Sequence, residues 1–153
     1  MKKIEIACFN LDSAIIAQNT GADRVELCAD MLVGGTTPTI EIIKQAREHL
    51  TIDLYVMIRP RGGNFVYSGA EFEQMKSEIE TIKKIGVNGF VFGILNEDKT
   101  INIEQNKALV DLAKPFPCTF HRAFDKVSNY EKALEDVISC GFSTSLTSGT
   151  FPN

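Results

Sequence analysis

Two short stretches concentrate the groups able to bind or transfer charge. Arg59-Pro60-Arg61-Gly62-Gly63 follows the apolar run at 54–58, and His121-Arg122-Ala123-Phe124-Asp125 follows Thr119-Phe120. Arginine offers planar, bidentate donors to carboxylate or phosphate. Arg59, Arg61 and Arg122 therefore read as anion-binding residues, with Gly62-Gly63 letting the backbone approach a ligand. The competing reading of Arg59 is structural: a buried charge needs a partner, and Glu5 or Glu26 would supply one. His121 titrates near neutrality and can act as a general acid or base. Glu26 and Glu5 would orient it or hold its charged form, and the alternative is a structural histidine bonded to a carboxylate. Gly34-Gly35-Thr36-Thr37 can present amides to an anion ahead of a helix.

A second chemistry is carried by sulfur. Cys8 and Cys28 end neighbouring apolar runs, and soft thiolates suit Cu(I). Their backbones would lie one strand spacing apart. Strict alternation sets them on opposite faces, however, so joint metal binding needs a bulge or a strand end. Otherwise each is a small buried hydrophobe, as are Cys118 and Cys140. Met57 reads as lumen filling. His49 suits a helix C-terminus. Asn10 and Asp125 are caps or ligand contacts.

These residues need a scaffold. Strands are expected near 3–8, 23–28, 53–59, 89–94, 118–122 and 144–147, with helices near 12–20, 39–49, 69–85, 103–113 and 129–139. Ser68-Gly-Ala-Glu71 and Ser128-Asn-Tyr-Glu131 have capping-box spacing. Asp12 and Asn102 suit N-caps, Pro38 suits a helix start, and Gly21, Gly86 and Gly141 suit helix ends. Strict alternation of strand and helix means a parallel sheet covered by helices.

Strand phase separates an open doubly wound sheet from a barrel. Ile4, Ile6, Cys8, Val25, Leu27, Leu54, Val56, Ile58, Cys118 and Phe120 share an aliphatic face. The opposite face carries Glu5, Glu26, Arg59 and His121. An open sheet with helices on both faces needs strands apolar on both sides, whereas a barrel lumen can hold paired polar groups near its functional end. The expectation is an α/β, TIM-like (β/α) barrel with Glu5, Glu26, Arg59 and His121 gathered near the strand carboxyl ends. Each unit takes roughly 28 residues and eight would need about 225, near the usual barrel size. The 153 residues fit one partial domain of about six strands and five helices, and Ser143-Thr144-Ser145 is polar for a sixth strand.

Composition excludes several classes. The chain is 44% hydrophobic and 24% charged, with a net charge of −4. Without a basic patch, nucleic acid is not an expected partner. No apolar run approaches the ~18 residues of a membrane helix, and Glu5 breaks the early apolar stretch a signal peptide would need. The four cysteines form no CxxC pair and suit a reducing, cytoplasmic setting.

Several ordered stretches together resemble the CutC family of copper homeostasis proteins. They are Glu5-Ile-Ala-Cys-Phe-Asn10, Gly21-Ala-Asp-Arg-Val-Glu-Leu-Cys28, Gly34-Gly-Thr-Thr-Pro38, Val56-Met-Ile-Arg-Pro-Arg-Gly-Gly63, Gly89-Phe-Val-Phe-Gly93, Thr119-Phe-His-Arg-Ala-Phe-Asp125 and Leu146-Thr-Ser-Gly149. The resemblance implies a TIM-like barrel, a cytoplasmic and usually dimeric protein, and copper binding in copper homeostasis. It also implies that the last strands of the family's barrel are missing here. Two readings compete with copper: an enzyme of unknown reaction on a small anionic substrate, and a fragment without activity of its own.

Overall fold

The computed structural model describes residues 2–149. Its elements alternate as the hydrophobic periods require: β1 (Glu5–Cys8), α1 (Leu11–Asn19), β2 (Arg24–Leu27), α2 (Ile40–His49), β3 (Asp53–Met57), α3 (Gly69–Lys83), β4 (Gly89–Phe92), α4 (Ile103–Ala113), β5 (Cys118–Phe120), α5 (Tyr130–Cys140) and β6 (Thr144–Ser145). Two 3-10 turns, Met31–Val33 and Arg122–Lys126, interrupt the loops after β2 and β5.

Helix starts follow local chemistry. Ser68 and Glu71 form the full capping box on α3, and Asn102 caps α4 through the Gln105 amide. Three expectations are corrected. Asn10, not Asp12, caps α1 by accepting from the Ser13 amide. Asn129, not Ser128, caps α5 through the Lys132 amide. Pro38 precedes the α2 cap, Thr39, instead of opening the helix. In each α1 and α5 case a short amide side chain at the true boundary satisfies an otherwise orphaned N–H. Gly141 closes α5 at φ 94°, a backbone that a side chain would strain.

The six strands are all parallel and lie in sequence order. Doubly wound sheets reverse their strand order to place helices on both faces. A sequential order with crossovers of one hand keeps the helices on one face and leaves the other as a lumen. The architecture is an incomplete TIM-like barrel of six strands and five helices. On the helix side Val25, Leu27, Leu54, Val56, Ile58, Phe90, Phe92 and Phe120 pack with Ile43, Met75, Ile79, Ile82, Leu109 and Val137. The lumen has a smaller cluster of Cys28, Tyr55, Met57 and Val91, with Phe9 against it. Ile4 and Ile6 share the helix-side phase of Cys8 but stay 56% and 41% exposed, because β1 lies at the sheet edge.

Candidate functional site

The register decides which polar residues meet. Glu5 pairs with Arg24, and Glu26 pairs with Ala7 on one side and Tyr55 on the other. Glu5 thus sits at the amino end of β1, one layer below Glu26. It is ion-paired with Arg24, whose guanidinium lies 4.0 Å above the Tyr55 ring. This pair and the Tyr55 ring form the lumen floor. Gly89, the register partner of Tyr55, leaves room for that ring: a Cβ there would come within 2.5 Å of it. The expected gathering of four residues is therefore corrected to three, Glu26, Arg59 and His121. Glu5 is consumed by its cross-strand partner.

Above the floor, a cavity of about 450 Å³ opens at the strand carboxyl ends, lined by Glu26, Cys28, Met57, Arg59, Phe65, His121, Arg122 and Asp125 among others. Glu26 is 5% exposed. Burial, and then the charge of Glu5, raise its carboxyl to about 7 despite the hydrogen bond from Cys28 and the charge of Arg24. The Cys28 thiol donates to Glu26 Oε1 at 3.5 Å. Burial and this carboxyl drive the thiol pKa well upward, so Cys28 is a neutral thiol in the free protein. Met57 flanks it: a Cβ on Gly35 would lie 3.4 Å from Cys28 Sγ and 3.6 Å from the Met57 methyl.

Arg59 adopts neither expected partnership. Its Nη1 donates to the carbonyls of Val33 and Gly35, both at 2.8 Å, and its Nη2 to that of Gly63 at 3.0 Å. Its Nε has no partner, and among the described residues no carboxylate forms an ion pair with it. The Gly34-Gly35-Thr36-Thr37 turn does not present its amides, contrary to expectation. All four donate internally, to Met31, Asp30, Ala29 and Arg59 carbonyls. The turn offers carbonyls to Arg59 instead. Gly62 serves packing, since a Cβ there would meet Val33 at 2.6 Å.

Arg61 lies outside the cavity. It is bound to Glu71 at 2.6 Å and to the carbonyls of Gly62, Asn64 and Val66, so it ties the β3–α3 loop to the α3 cap. Arg122 is at the cavity rim with a largely exposed side chain, held by Asp125 at 3.1 Å and Ser148 at 2.9 Å. Asp125 also accepts from Thr147 Oγ1 and the Ser148 amide. Burial works to raise its carboxyl, but those hydrogen bonds outweigh it and hold Asp125 at about 2.

His121 is 4% exposed. Its Nδ1 accepts from the Ala123 amide at 3.2 Å, and Nε2 has no partner. Neither Glu5 nor Glu26 bonds it. Burial, reinforced by the Arg59 charge, lowers its pKa to about 3. The ring is thus neutral with its proton on Nε2, a donor and not a base. The Phe65 ring packs 4.9 Å from the His121 ring and 4.9 Å from the Arg59 guanidinium. Phe65 is the contributor the sequence reading missed; its signal was an aromatic residue two positions after Gly62-Gly63.

The Cys28 amide donates to the Cys8 carbonyl at 2.9 Å. The Cys8 side chain belongs to the helix-side core and the Cys28 side chain to the lumen. The two side chains thus belong to different faces, as alternation requires. Cys118 and Cys140 are core residues. Asn10 is a cap, and His49 Nδ1 lies 2.8 Å from the Gln45 carbonyl at the end of α2. Among the described residues no cluster of three or more His, Cys, Asp or Glu is placed to hold a metal, and no helix is long and apolar enough to cross a membrane.

The fold is a half-open β/α barrel with a cavity of mixed apolar and polar lining at its strand carboxyl ends. The chain belongs to the CutC family, whose model matches residues 2–153. It is 45% identical over its full length to a CutC family protein of Photorhabdus laumondii, covering 62% of that relative. It is 44% identical over 146 residues to the copper homeostasis protein cutC homolog of Homo sapiens, covering 54% of it. The chain thus spans little more than half to three fifths of these curated relatives. The crystal structure of a CutC protein from Streptococcus agalactiae superposes with a TM-score of 0.91 at 33% identity, over 98% of this chain and 74% of that one. A phosphonopyruvate hydrolase, 12% identical with a TM-score of 0.69, shares the fold.

Proposed function

We propose that this protein acts in copper homeostasis by binding Cu(I) as cargo on the lumen side of β2 and β3. The human and mouse relatives carry copper homeostasis in their names. The observation that carries the reading is the Cys28 thiol, placed in the cavity beside Met57 with its proton directed at Glu26. Thiolate and thioether are the donors Cu(I) prefers, and low coordination numbers suffice. The thiol must lose its proton to ligate, so affinity should rise with pH. His121 is a poor third ligand: metal on Nε2 would force the ring proton onto Nδ1, against the Ala123 N–H.

Anaerobic Cu(I) titration against a competing chelator tests this. One Cu(I) should bind per chain. Cys28→Ala should abolish binding, Met57→Leu should weaken it, and Cys8→Ala should leave it intact. Binding that ignores Cys28→Ala, or no stoichiometric binding, would refute the assignment.

A further inference from the structure

The cavity has a second, hard side opposite the sulfur atoms. Arg59 and His121 are 5% and 4% exposed. Each keeps one N–H donor with no acceptor, Arg59 Nε and His121 Nε2. The guanidinium is otherwise hydrogen-bonded to neutral carbonyl oxygens, with the buried Tyr67 hydroxyl beside it, so a full positive charge lies buried without an ion-pair partner. Buried donors and buried charges are normally matched. Two unfilled donors and one uncompensated charge, on side chains lining the same cavity and packed on the same Phe65 ring, ask for a ligand that is a monoanion with acceptor oxygens.

The geometry points to a binding site for a small monocarboxylate, its carboxylate held by Arg59 Nε–H and His121 Nε2–H and its apolar body against Phe9, Met57 and Leu146. Both donor atoms are buried, so binding requires the Phe65 ring packed on these side chains to turn. Phosphate is disfavoured on two grounds. A phosphate dianion is usually cradled by several backbone amides at a helix N-terminus, and here the amides of residues 34–37 are all spent internally. One buried cation and two donors match a single negative charge and two oxygens. The neutral state of His121 is consistent with this role, since a donor and not a base is required. The site shares the Met57 wall with the copper reading, but none of its donors is a sulfur ligand.

The test is NMR on the ¹⁵N-labelled protein, following the Arg59 Nε–H and His121 Nε2–H resonances while sodium isobutyrate is added. Saturable shifts of both resonances are expected, with no saturation by isobutyramide and none by inorganic phosphate over the same range. Arg59→Lys keeps the charge but removes Nε–H, and His121→Phe keeps the ring shape but removes the donor. Each should weaken isobutyrate binding roughly ten- to hundredfold. Should either variant fail to fold, the wild-type titration alone decides. Saturation by phosphate in place of isobutyrate would overturn the carboxylate assignment, and no saturable shift with any probe would overturn the site. Cys28→Ala must bind isobutyrate as wild type does, which separates failure of this site from failure of the copper site.

Discussion

His121 Nδ1 accepts the Ala123 amide at 3.2 Å, and this one bond fixes the tautomer of a buried ring. The pH dependence of stability follows from the burial of this ring. Burial and the Arg59 charge lower the folded pKa to about 3, against an ordinary value of 6.5. Between those values the unfolded chain takes a proton that the folded chain refuses. The contribution is complete above pH 6.5 and is lost as pH falls toward 3. Urea unfolding at pH 7 and pH 5 should show wild type losing about 1–2 kcal/mol more than His121→Gln. Equal losses would show that His121 is protonated as readily in the fold as outside it.

Asp125 supplies a second acid-sensitive contact. Its carboxyl is held at about 2 by Thr147, Ser148 and Arg122, so its contribution is present above the ordinary value of 3.8 and lost as pH falls through 2. Asp125→Asn should cost about 1–2 kcal/mol at pH 7 and speed exchange of the Ser148 amide. An unchanged Ser148 exchange rate would mean that the segment after β6 is held by other contacts.

Glycine substitutions should separate the lumen from the surface. A Cβ on Gly89 would lie 2.5 Å from the Tyr55 ring and one on Gly93 2.9 Å from His121, whereas Gly69 meets nothing within 4 Å. Gly89→Ala and Gly93→Ala should each destabilise by about 1–3 kcal/mol. Gly69→Ala, in the first turn of α3, should be neutral or stabilise by up to about 1 kcal/mol. Denaturant midpoints read all three. A neutral Gly89→Ala would show that the floor ring is free to move.

Hydrogen exchange should grade the sheet. β3 is bonded on both sides and buried, while β6 has two residues, pairs with β5, and leaves Thr144 exposed. Amides at 54–57 should be protected near the global limit and those at 144–146 far less. Equal protection across the two strands would contradict this ordering.

Residue order alone sets the frame. Alternating periods located all six strands and five helices, and strand phase assigned Glu26, Arg59 and His121 to one face, because side-chain direction along a strand follows a period of two whatever the partners. The same rule kept Cys8 and Cys28 apart. Phase says nothing, however, about depth along the barrel axis or about competition between partners. Glu5 shares the face of Glu26, yet the register pairs it with Arg24 at the floor. Arg59 and Arg61 stand two residues apart, yet one enters the cavity and the other is captured by Glu71.

Tertiary structure also decided the polarity of the loops. The Gly34-Gly35 turn could have offered amides to an anion or carbonyls to a cation. Its hydrogen bonds to residues 29–31 and to Arg59 spend the amides and leave the carbonyls. That choice leaves Arg59 bound to carbonyls and without a counter-charge. Such a shortfall arises only when all neighbouring groups are placed at once, so it cannot be read from residue types and spacings.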